Sequence, residues 1–76
     1  MIKTFIESGY THASSTPDYF VKAQGNGMIH MEQFGKPEEK VWKIWVKYPT
    51  FGIHYIYRGY IRNEVEWQIV QDLLQI

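Results

Sequence analysis

The side chains best suited to proton transfer near neutral pH, or to metal ligation, are three histidines: His12, His30 and His54. Their spacing matches no metal-binding pattern, and a zinc site needs three or four converging ligands. Tyr10, His12, Ser14 and Ser15 fall in one irregular stretch, where a hydroxyl could meet an imidazole. A working nucleophile also requires a base within hydrogen-bond reach and a third group orienting that base. The spacing supplies neither. Gly25-Asn26-Gly27 reads as a hairpin turn and not as a phosphate loop. Glu38-Glu39 belong to a loop and Glu64 and Glu66 to a helix start, so no carboxylate pair is set up for acid/base work. The expectation is a protein without enzymatic activity, cofactor or metal.

The richer pattern lies in residues 41–61, VWKIWVKYPTFGIHYIYRGYI, which interleave aromatic and basic side chains. Residues 41–48 alternate as a half-buried strand does, with Trp42, Ile44, Val46 and Tyr48 on one face and Val41, Lys43, Trp45 and Lys47 on the other. Residues 53–61 alternate likewise, which places Ile53, Tyr55, Tyr57, Gly59 and Ile61 inside and His54, Ile56, Arg58 and Tyr60 outside. A four-residue loop, Pro49-Thr50-Phe51-Gly52, then sets Tyr48 opposite Ile53, Trp45 opposite Ile56, Lys43 opposite Arg58 and Trp42 opposite Gly59. A one-residue slip would turn the charged set into the core.

The elements that must hold this face follow from the rest of the chain. Seventy-six residues make a single domain, 1–76, near the lower end of what one core stabilises. An aromatic content of 17% offsets the short length with bulky side chains. With no cysteine there is no disulfide and no thiol chemistry. No apolar run approaches the ~18 residues of a membrane span, and the start Met1-Ile2-Lys3-Thr4-Phe5 lacks the features of a secretory signal, so a cytoplasmic location is expected.

Ile2 to Glu7 reads as a strand, and Ser8 to Asp18 as a connector or a loop that docks a partner. Tyr19 to Gln24 and Met28 to Phe34 read as a hairpin with a three-residue loop. That pairing turns Val21, Ala23, Ile29 and Met31 inward and Phe20, Lys22, His30 and Glu32 outward. Pairing Met31 with Ile44 brings Glu32 to Lys43 and His30 to Trp45. The chain ends in a helix capped by Asn63, with Glu66 placed to complete a capping box. Val65, Ile69, Val70, Leu73, Leu74 and Ile76 form its apolar sector, with Trp67 at the edge. The fold class expected is α+β: an antiparallel sheet of four or five strands with one C-terminal helix packed on one face. The core pairs Trp42, Ile44, Val46, Tyr55 and Tyr57 with Ile69, Val70 and Leu73.

The outer sheet face carries the functional expectation. Its candidate binding residues are Phe20, Lys22, His30, Lys43, Trp45, Lys47, His54, Ile56, Arg58 and Tyr60. Tryptophan, tyrosine and arginine are the usual anchors of protein interfaces, which points to a non-enzymatic module that binds a protein partner. A short chain of this kind suits an accessory or inhibitory protein of a phage or other mobile element, and is compatible with a homodimer. The alternative is a nucleic-acid-binding sheet, since aromatics among basic groups can stack bases and hold phosphates. Five basic and no acidic residues between Lys40 and Arg62 favour that alternative; a formal net charge of zero weighs against it.

Overall fold

A computed structural model describes residues 2–13 and 18–75. Helix α1 (Ile2–Glu7) leads into a five-stranded antiparallel sheet. Its strands β1 (Thr11–His12), β2 (Tyr19–Gln24), β3 (Gly27–Phe34), β4 (Val41–Tyr48) and β5 (Gly52–Gly59) lie side by side in chain order. Helix α2 (Glu64–Leu74) follows. Both helices pack on one face, around Phe5, Phe20, Ile29, Met31, Trp42, Ile44, Val46, Trp67, Val70 and Leu74. The α+β class and the antiparallel sheet are as the sequence predicts. No helix among the described residues is long and apolar enough to cross a membrane.

Ile2–Glu7 is a helix, where the sequence pattern predicts a strand. Alternation of Ile2, Thr4 and Ile6 fits either element over so short a stretch, and the ending decides. Gly9 takes φ 95°, its N–H donates to Ile6 O and the N–H of Tyr10 donates to Phe5 O. This pair of bonds is a Schellman closure, which requires a left-handed residue and so favours glycine. It turns Phe5 inward to touch the rings of Phe20, Trp42 and Trp67 and leaves Ile2 and Ile6 exposed. Tyr10 packs beside it on Trp67.

Burial pushes the Tyr10 phenol up to about 12 from 10.0, an effect that Gln71 beside it opposes. Its folded-state value thus lies above the unfolded one, and folding favours the neutral form. Stability is therefore full below pH about 10 and declines as pH rises towards 12, where the unfolded chain alone ionises freely. Tyr10→Phe is expected to reduce that decline in denaturant melts across this range; an unchanged profile would place the phenol in solvent.

The β2–β3 hairpin closes through two residues, not three. Gly25 takes φ 60° while Asn26 keeps a negative φ, as a type II′ turn requires. Gln24 then pairs with Gly27, Lys22 with Ile29 and Phe20 with Met31. The one-residue difference inverts the faces of β2 relative to the sequence-based register. Phe20 is fully buried, and Tyr19, Val21 and Ala23 face outward. Burying the larger ring is the more favourable choice, because apolar stabilisation scales with the area removed from water.

The β3–β4 register is as expected, with Met31 opposite Ile44, Glu32 opposite Lys43 and His30 opposite Trp45. Between β4 and β5 the expected pairs hold from Trp42–Gly59 to Ile44–Tyr57 and then shift. Trp45 pairs with Tyr55, Val46 with His54 and Tyr48 with Gly52. A three-residue loop replaces the predicted four, and a β-bulge at Ile56 absorbs the difference. Ile53 and Tyr55 therefore face solvent, contrary to their predicted core placement; Tyr55 is 69% exposed.

Asn63 caps α2: its side chain accepts from the Glu66 N–H at 3.0 Å. Glu66 reaches back to the Arg62 N–H, one residue before the cap, in a variant of the capping box. Asn63→Ala is expected to cost about 1 kcal/mol in denaturant melts; unchanged stability would contradict the cap. The helix lies on its Trp67, Val70 and Leu74 stripe, with spacing i, i+3, i+7, and exposes Val65, Ile69 and Leu73. Ile69 and Leu73 thus leave the predicted core, displaced because Trp67 is a central packing element and not an edge residue. Ile76 lies outside the described residues.

Candidate functional site

The face of the sheet opposite the helices carries no other element among the described residues. Odd-numbered residues of β4 point to it: Val41, Lys43, Trp45 and Lys47, while Trp42, Ile44 and Val46 are buried behind. Trp45 stands in the middle. The His30 ring stacks on it, with centroids 5.1 Å apart and planes within 5°. Tyr55 lies tilted on the β5 side at 6.5 Å. Tyr19 meets both rings edge-on, at 5.8 Å from His30 and 6.1 Å from Trp45. Four strands thus contribute one aromatic band, Tyr19–His30–Trp45–Tyr55, and cross-strand aromatic pairs of this kind also fix register.

The Tyr19 hydroxyl lies 2.7 Å from His30 Nδ1. Burial, with Lys47 nearby, holds His30 below the usual histidine value. This favours the neutral imidazole, which shares one hydrogen bond with the Tyr19 hydroxyl. Burial, with Glu32 nearby, raises the Tyr19 phenol, which keeps it protonated and able to donate. The pair braces the band. Its geometry suits rigid presentation of a surface.

Below this band runs a polar row. Lys43 sits between Glu32 and Arg58, its Cα partners on either side. The Lys43 ammonium lies 5.5 Å from the Trp45 ring centroid and 5.6 Å from that of Phe34. The Arg58 guanidinium lies 5.2 Å from Phe34. Beside them the bulge opens a shallow depression of about 530 Å³, lined by Lys43, Tyr55, Ile56, Tyr57 and Arg58.

Of the sequence-predicted site residues, the structure brings His30, Lys43, Trp45, Lys47 and Arg58 together on this face. Phe20 is core, for the hairpin reason above. Lys22 follows Phe20 to the helix side, where its ammonium donates to Ser8 O at 2.9 Å and covers the Tyr10 ring. His54 is turned to the face of Val46 by the bulge and meets Tyr48 there. Ile56, the bulged residue, packs partly against the core while it lines the depression. Tyr60 lies beyond the last strand under the Arg62 guanidinium, 4.4 Å from its ring centroid.

Tyr19 and Tyr55 are site residues that alternation alone misses, while Phe34 follows His30 and Glu32 on the outward set of β3. Gly52, at φ 82° after Pro49-Thr50-Phe51, is the one sequence signal for the shorter loop that exposes Tyr55. The histidines are dispersed: His12 stacks on Phe20 on the helix side, away from His30. Among the described residues no three His, Asp or Glu side chains gather as metal ligands. Ser14 and Ser15 lie outside the described residues, and Tyr10, their proposed neighbour in a catalytic group, is core. Comparison of the chain with protein-family models, curated proteins and solved structures gives no match.

Proposed function

We propose that this chain is a non-enzymatic protein-binding module that docks its partner on the open face of the sheet, around Trp45. The observation that carries the reading is the aromatic band Tyr19–His30–Trp45–Tyr55, left facing solvent by a fold that puts both helices on the other side. Aromatic and arginine side chains on a pre-organised surface are the residues that dominate protein interfaces. The stacking within the band favours a protein over a nucleic acid. A base platform needs open ring faces, whereas His30 already occupies one face of Trp45 and Lys43 lies over the ring. Glu32 on the same face also opposes a phosphate backbone.

A small rigid surface of this kind suits an accessory or inhibitory role, as in a phage or mobile-element protein whose activity is to occlude its target. Titration with labelled single strands and duplexes at low and moderate salt tests the choice. No binding at low salt is expected. Salt-dependent binding that flattens when Lys43, Lys47 or Arg58 is removed would instead establish a nucleic-acid interface.

A further inference from the structure

The depression beside the β5 bulge borders two cations, neither of which has an ion-pair partner among the described residues. Lys43 and Arg58 are directly opposed across the β4–β5 ladder, an unfavourable arrangement for like charges. Both converge on the ring of Phe34, instead of diverging into solvent. The ion pairs among the described residues are Lys3–Glu7, Lys40–Asp18 and Arg62–Glu66. Glu32, although opposite Lys43, is not within ion-pair distance of it. The ring quadrupole of Phe34 attracts each cation but does not cancel their mutual repulsion. An anion bound between them would.

We propose that this depression holds a carboxylate from an acidic peptide segment of the partner, with an apolar side chain of that segment seated against Tyr55 and Ile56. The inference rests on the reading of the outer face as a protein-docking surface and names the chemistry of what docks there. A guanidinium presents parallel N–H groups that match both oxygens of a carboxylate, and the ammonium adds a second charge-assisted bond. Charge complementarity selects the occupant. One carboxylate beside an apolar neighbour matches a cation pair beside an aromatic wall.

The test is a titration of the isotopically labelled chain, followed by amide NMR shifts. The probes are a short peptide with two glutamates flanking a phenylalanine, its glutamine counterpart, and a single-stranded oligothymidylate. Saturable shifts at Lys43, Tyr55 and Arg58 are expected with the acidic peptide and about tenfold weaker binding with the glutamine peptide. Arg58→Gln and Lys43→Gln should each weaken the acidic peptide about tenfold, and Lys3→Gln, on α1 at the opposite face of the sheet, should not. Equal binding of the two peptides through Trp45 and Tyr55 would overturn the carboxylate site and leave the docking face standing. No shift on this face with either peptide overturns the carboxylate site, and a natural partner still captured through Trp45 would keep the wider reading. Tighter binding of the oligothymidylate at the same amides would overturn both.

Discussion

Phe5→Ala is expected to destabilise the protein by about 3–5 kcal/mol, a large part of what a domain of this size possesses. Phe5 has no exposed surface and joins three elements, touching Phe20 on β2, Trp42 on β4 and Trp67 on α2. Removing the ring leaves a cavity walled by large aromatics, which collapse poorly. Leu73→Ala is the informative contrast. Leu73 is 39% exposed on the solvent side of α2, so its truncation is expected to cost under about 1 kcal/mol. Denaturant melts of both variants read the rotation of the helix directly. Comparable losses would mean that α2 lies on its Ile69–Leu73 side.

That contrast shows where the sequence is legible. Alternation in Val41–Tyr48 and the charge match of Glu32 with Lys43 suffice to place β3 against β4. Asn63 with Glu66 suffices to start α2. Trp67 illustrates the limit: the helical wheel offers two apolar stripes, Val65–Ile69–Leu73 and Trp67–Val70–Leu74, and only the shape of the core chooses between them. Binary patterning is equally silent on the conformations of Gly25 and Gly52. Each shortens a loop by one residue, and each inverts the facing of adjoining strand residues. Phe20 and Lys22 leave the predicted site by the first route. Tyr55 enters it by the second, with Ile56 taking up the slack as a bulge. The six residues of Ile2–Glu7 are too few for period to separate helix from strand, and the closure at Gly9 decides them.

The second large effect is at the site. Trp45→Ala is expected to weaken partner binding by about 2 kcal/mol or more, which is about thirtyfold in Kd. The indole is half-buried, braced by His30 on one face and central among Tyr19, Lys43 and Tyr55. Its removal deletes the anchor and releases the His30 ring from its stack. Because Ile44 and Val46, not Trp45, carry the adjacent core contacts, the expected stability loss is on the order of 1 kcal/mol, the scale of a cross-strand pair. Unchanged affinity with an intact fold would remove Trp45 as an anchor.

The central claim is that the face opposite the helices is the working surface. The most direct measurement is parallel affinity capture from the native host with three baits: the unmodified chain, Trp45→Ala and Leu73→Ala. Circular dichroism first establishes that all three are folded. The account predicts a discrete protein retained by the unmodified chain and by Leu73→Ala, and lost with Trp45→Ala. Loss with Leu73→Ala and retention with Trp45→Ala would contradict it, and would move the binding surface to the exposed Val65–Ile69–Leu73 stripe of α2.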